Sequence, residues 1–289
     1  MTQPLEAVER SLSRPGYAWE QPLQEAMRRL IPETDKVHGF NHAQAVVDSV
    51  YQLQFEPEFR SRPLDGEVLI AGAYIHDIGY AYQGPFSKDT FEHIAYGEDM
   101  ARAILTNVQG FDPQKIDAVM YLLRNHDNAK FSVPNHHLGD VPRFTPADVV
   151  KREQTDDPSF RTALAILKEA DSKEYTDLSG TQRTFKYGQD RGFPLVPDGE
   201  SPSPRHSLNR ATLSNLLLFP HLAWLNATTE KGKYAAARGY LAAEQWVFDY
   251  CQREGIVYVP DLSMEEVSWA KSYHQELVPE HLLPVAHTL

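Results

Sequence analysis

Imidazole and carboxylate groups recur along this chain at places where helical spacing calls for apolar side chains. His42 heads the series Val46, Val50 and Leu53, and His76 falls in line with Leu69, Ala73 and Tyr80. Asp77 adjoins it on the strip that carries Ile70 and Tyr74. His93 aligns with Gly97, Met100 and Ile104, His126 closes the series Ile116, Val119 and Leu123, and Asp171 follows Leu164 and Leu167. Steps of three and four put each of these groups on the core side of a helix. A buried charge without a partner costs several kcal/mol or shifts its pKa until it is neutral. A lone histidine on an apolar face is more often a hydrogen-bonded core residue than a ligand. Here that reading demands a separate buried partner for every helix, whereas one shared cation answers them all. Imidazole and carboxylate without thiolate suit Mn, Fe, Co, Ni or Zn. Two histidines with two aspartates leave octahedral positions for water and substrate, so such a site is catalytic rather than structural.

The elements that must position these groups are helical. Periodicity predicts helices over 18–30, 41–55, 65–82, 89–106, 113–126, 159–173, 208–228 and 230–254, and no sustained period-two alternation appears. The expected fold class is therefore all-α, a helical bundle with the metal site at its centre, formed as a single domain over 1–289. Asn41 is the expected N-cap of the second helix, Pro113 suits a first helical turn, and Gly255 stands where a helix should stop. A loop insertion is expected over about 185–207, where Pro, Gly and Ser are dense, with C-terminal helices over about 208–254 packing on the body. Gly97 is small enough to admit a close neighbour. The last thirty or so residues read as an irregular tail that packs back on the bundle.

Composition narrows the partners. The net charge of -12 disfavours an electrostatic grip on a nucleic acid duplex, yet leaves a small phosphorylated substrate open, because a metal supplies positive charge locally. The single cysteine, Cys251, cannot form an intramolecular disulfide and rules out Cys-based zinc motifs. The segment MTQPLEAVERSLSRPGYAWE has neither a basic n-region nor an apolar h-region, and no uncharged apolar run is long enough to span a membrane. A cytoplasmic location with no membrane partner is expected; oligomeric state is left open.

The ordered set His42, His76-Asp77 and Asp171, the last within ILKEADSKEY, resembles the H…HD…D signature of the HD-domain superfamily of metal-dependent phosphohydrolases. The resemblance covers roughly 20–180: HAQAVVDSV looks like the family's ligand-bearing helix and AYIHDIGY like its central one. HIAYGEDMARAIL and LLRNHD resemble segments bearing the extra histidines of many members, and TTEKGKYAAARGYLAAEQWVF looks like a C-terminal helix of some. The resemblance implies that His42, His76, Asp77 and Asp171 bind a first metal. It implies that His93 and His126 bind a second, with Asp77 bridging, or instead hold a phosphate. His38 is set aside as a ligand because Gly39 and Asn41 place it in the loop entering the helix, and His136 and His137 lie in a Pro/Gly-flanked loop.

The expected activity is hydrolysis of a small phosphomonoester, phosphodiester or nucleotide phosphate by a metal-activated water, with one or two divalent transition-metal ions as cofactor. Asp77 would orient or deprotonate the water, and Lys173, ahead of Arg124, Lys130 and Arg238, would neutralise the phosphate. Two other readings stand beside it: a diiron oxygenase using the same six ligands, and a non-catalytic binding module that a metal stabilises. Loops over 83–90, 127–147 and 174–210 are expected to shape the pocket.

Overall fold

A computed structural model of the chain describes residues 16–31, 39–81, 92–126, 155–190, 192–196, 212–257, 268–270 and 272. Among these residues there are helices and no strand: α1 Glu20–Leu30, α2 Phe40–Leu53, α3 Gly66–Ile75, α4 Glu92–Asn107, α5 Ile116–Asn125, α6 Pro158–Ser172, α7 Leu178–Asp190, α8 Thr212–Asn226 and α9 Glu230–Glu254. The all-α expectation holds for the described chain. No described helix is long and apolar enough to cross a membrane.

The segment GEVLIAGAYI of α3 is apolar all round, and every residue from Val68 to Ile75 is buried. A helix without a polar face belongs at the centre of a bundle. Helices α1, α2, α5 and α6 pack around it. Asp65 starts it by accepting hydrogen bonds from the Glu67 and Val68 amides at 3.0 and 3.2 Å. Trp19, Leu23, Val46, Val50, Leu105, Leu122 and Ile166 belong to the same apolar core. Phe185, Leu213, Leu216, Tyr240 and Val247 form a second, smaller core between α7, α8 and α9. Trp269 closes that side by stacking on Trp224 with ring centroids 4.3 Å apart, so this part of the C-terminal segment packs back as expected.

Three expectations need correction. The helix expected over 65–82 is broken: α3 ends at Ile75, and a 3-10 turn over Ile78–Ala81 follows. The N-cap of α2 is Gly39 rather than Asn41, because the helix begins at Phe40. Residues 178–190, taken as part of a loop, are helical; Asp177 accepts from the Ser179 and Gly180 amides at 2.8 and 3.2 Å and starts α7. Pro113 opens a 3-10 turn that leads into α5, and Gly255 stops α9 in the left-handed conformation with φ 67°.

Candidate metal centre

The six His and Asp candidates all sit at helix ends. His42 lies in the first turn of α2 and His93 in that of α4. His76 and His126 are the C-caps of α3 and α5, Asp77 follows His76, and Asp171 is the penultimate residue of α6. Three helix C-termini, with partial negative charge, and two N-termini, with partial positive charge, thus meet at the cluster. The approach of α4 depends on glycine: a Cβ on Gly79 would stand 1.7 Å from the His93 carbonyl oxygen, and one on Gly97 would stand 3.2 Å from the Gly79 amide nitrogen. The close neighbour that Gly97 admits is therefore the backbone beside the His-Asp pair.

The donor atoms fall into two groups, each able to hold a metal ion: His42, His76 and Asp171, and Asp77, His93 and His126. In the first, His42 Nε2 lies 3.2 Å from His76 Nε2 and 3.1 Å from Asp171 Oδ1, while His76 Nε2 and Asp171 Oδ1 are 3.3 Å apart. Ligands about 2.1 Å from one ion lie about 3.0 Å apart in adjacent octahedral positions and about 3.4 Å apart in a tetrahedron. The observed separations match those edges. In the second, Asp77 Oδ1 lies 3.7 Å from His93 Nε2 and 3.5 Å from His126 Nε2. The other Asp77 oxygen, Oδ2, lies 3.6 Å from His42 Nε2 and 3.5 Å from His76 Nε2. One carboxylate thus offers an oxygen to each group.

The tautomers follow from what lies behind the rings. His76 Nδ1 donates to the Ala73 carbonyl at 2.9 Å, and His126 Nδ1 donates to the Leu123 carbonyl at 2.7 Å. A neutral imidazole that donates from Nδ1 turns a lone pair outward at Nε2. Lone pairs of His42, His76 and Asp171 therefore converge on one point, which is repulsive unless positive charge sits between them. Burial disfavours a charged His42, but hydrogen bonds to Asp171 and Glu174 outweigh it and raise its pKa well above the usual histidine value. Burial likewise opposes the Asp171 carboxylate, yet the neighbouring His76 and His42 rings hold its pKa well below the usual range. A divalent ion satisfies the same donors with more charge and a matched geometry. His42, His76, Asp77, His93 and His126 are buried, and Asp171 is partly exposed.

Lys173 takes no part in this grouping. Its side chain is exposed and its ammonium donates to Gln52 Oε1 at 3.1 Å. Two residues beyond Asp171 on a helical path points to the opposite face, which is the physical reason. Arg124 pairs with Glu98, its Nε donating at 2.8 Å, and Arg238 is exposed on α9. His38, Lys130, His136 and His137 lie outside the described residues, as do most of the loops expected to shape the pocket.

Sequence reasoning missed Glu174. Its Oε2 lies 3.4 Å from His42 Nδ1, and it forms an ion pair with Arg183 of α7. Burial of Glu174 favours its neutral form, but His42 and Arg183 together pull its pKa below the usual value. The signal was its spacing, three residues after Asp171, where a 3-10 turn over Lys173–Thr176 stacks side chains on one side. Comparison of the chain with protein-family models, with curated proteins and with solved structures finds no match in any of the three.

Proposed function

We propose that the protein is a metal-dependent hydrolase of a small phosphorylated substrate, built on an HD-type helical bundle and using two divalent transition-metal ions. The observation that carries this reading is Asp77, whose two oxygens face the two groups of histidines separately, at 3.5–3.6 Å on one side and 3.5–3.7 Å on the other. A structural metal needs one closed set of ligands; two joined, incompletely filled sets suit chemistry on an oxyanion.

His42, His76, Asp171 and Asp77 Oδ2 would hold one ion, and His93, His126 and Asp77 Oδ1 the other. Such a pair supplies Lewis acidity toward a phosphoryl oxygen and brings the pKa of a coordinated water toward neutrality. The chain contributes fixed orientation: the His76 and His126 rings locked by their Nδ1 hydrogen bonds, a shared carboxylate between the two groups, and burial that strengthens each electrostatic contact. The ions also reconcile a substrate phosphate with a chain of net charge -12.

The test is metal analysis of the protein as purified, followed by a nucleotide and phosphoester panel with the metal found. Phosphate release that Asp77→Asn abolishes supports the reading. No release with Mn, Co, Ni or Fe sinks it, and two irons with substrate-dependent oxygen uptake would replace hydrolysis by the oxygenase reading.

A further inference from the structure

The C-terminal helices converge on one short turn. Lys173–Thr176 is packed by α7, α8 and α9 as well as by α6, which it extends. A Cβ on Gly180 of α7 would stand 2.0 Å from the Glu174 carbonyl oxygen, and one on Gly239 of α9 would stand 2.5 Å from the Thr176 carbonyl. Both helices therefore touch the backbone of the turn directly. Asn226, at the end of α8, donates to Ser172 Oγ at 2.6 Å. This much fixed backbone surrounds one half-buried acid of the turn, Glu174, which reaches back to His42 Nδ1 at 3.4 Å and is held from the other side by Arg183.

His42 therefore differs from His76 and His126. Those two donate from Nδ1 to backbone carbonyls of their own helices, so their orientation is settled locally. His42 turns its Nδ1 to a carboxylate of another element. A carboxylate behind a ligating imidazole fixes the tautomer and raises the basicity of the nitrogen that faces the metal.

We propose that Glu174, held by Arg183, is a positioning residue that sets the affinity of the His42, His76 and Asp171 half of the centre. By this route the C-terminal helices act on metal binding. The inference rests on the metal reading given above, and it assigns Glu174 no contact with substrate.

The test is titration of the full chain with Co(II) by calorimetry, for the native protein and for Glu174→Gln, Glu174→Ala and Glu169→Gln. Glu169 is the control, a buried carboxylate two residues before Asp171 that caps the start of α9 by accepting from the Thr228 and Thr229 amides at 2.7 and 3.0 Å. Glu174→Ala should weaken one of two binding steps by about 10–100-fold and leave the other in place. Glu174→Gln, which keeps an oxygen acceptor, should weaken the same step less. Glu169→Gln should lower thermal stability with both steps unchanged. In the proton NMR spectrum of the Co(II)-loaded protein, the exchangeable N–H signal of one coordinated histidine should move in Glu174→Gln, which a purely structural role would not cause. Should Glu174→Ala fail to fold, Glu174→Gln carries both measurements. Native affinity in the Glu174 variants, with native protein binding Co(II) normally, overturns the positioning role alone. Native protein that takes up no Co(II) overturns the metal reading itself.

Discussion

His42, His76 and Asp171 are drawn from positions 42 to 171, whereas Asp77, His93 and His126 lie within the interval from 77 to 126. The second half of the cluster is thus assembled by α3, α4 and α5 alone. The first needs α2 and α6 docked on α3 and on each other, and it leans on Glu174, which α7 and α9 hold in place. His76 in one half and His126 in the other both lean on backbone carbonyls of their own helices, but only the first half has a ligand, His42, backed by a carboxylate from a distant turn. The contrast implies that one half is preorganised locally and the other is set by the tertiary fold. The sharpest way to break it is at the shared residue. On the proposed two-metal hydrolase reading, Asp77→Ala should remove both ions together and lower phosphoester turnover by about a thousandfold or more, since metal assistance contributes several kcal/mol. Loss of one ion with the other retained would mean that the halves are independent.

Metal removal comes next in size. Chelation should lower the stability of the native protein by about 2.7 kcal/mol for each ion held at a hundred times its dissociation constant. Calorimetric melting with and without chelator reads this directly. In Glu174→Ala the same metal concentration should restore less, because only the second half stays near saturation. Equal restoration in both proteins would erase the distinction between the halves.

Gly79→Ala probes the other side. The added methyl group would overlap the His93 carbonyl oxygen, so the turn and α4 must separate, at a cost of about 1–3 kcal/mol. His93 moves with that backbone, and Asp77 lies two residues before Gly79. The second binding step should therefore weaken while the first, held by His42, His76 and Asp171, changes less. A titration in which the first step suffers more would place the sensitivity of the centre in the wrong half.

Much of this arrangement was legible because ligands on apolar stripes betray themselves. His42 before Val46 and Val50, and Asp171 after Leu164 and Leu167, read correctly as inward-facing groups, since a single element determines the face. The break after Ile75 was not legible. The run AGAYIHDIGY continues the helical pattern, and only the approach of His93 to Gly79 shows why the backbone turns there. Nor was α7, whose sequence LSGTQRTFKYGQD buries Gly180, Thr181, Phe185 and Gly188, a stripe too small and polar to register as apolar. Its packing is set by neighbours rather than by its own hydrophobicity, and Arg183 was missed with it. Lys173 was read by charge and proximity in sequence, and the residue of that turn that reaches back toward His42 is Glu174.

The smallest effect tests how the C-terminal helices reach the first half. Thr229 caps α9, accepting from the Gly232 amide at 2.8 Å and meeting the Glu169 carboxylate with its hydroxyl. Thr229→Ala removes both contacts but leaves Glu169 accepting from the Thr228 and Thr229 amides. The cost should be about 1–2 kcal/mol, a fall in melting temperature of roughly 2–4 °C for each kcal/mol. Because α9 still meets the turn through Gly239, Glu174 should stay against His42, and the Co(II) affinity of the first half should not change. A drop in that affinity matching Glu174→Gln would mean that the whole α9 junction, rather than one carboxylate, sets the stiffness of the first half. Stability lost without affinity lost would separate the two and leave Glu174 as the point through which the distant helices act on the centre.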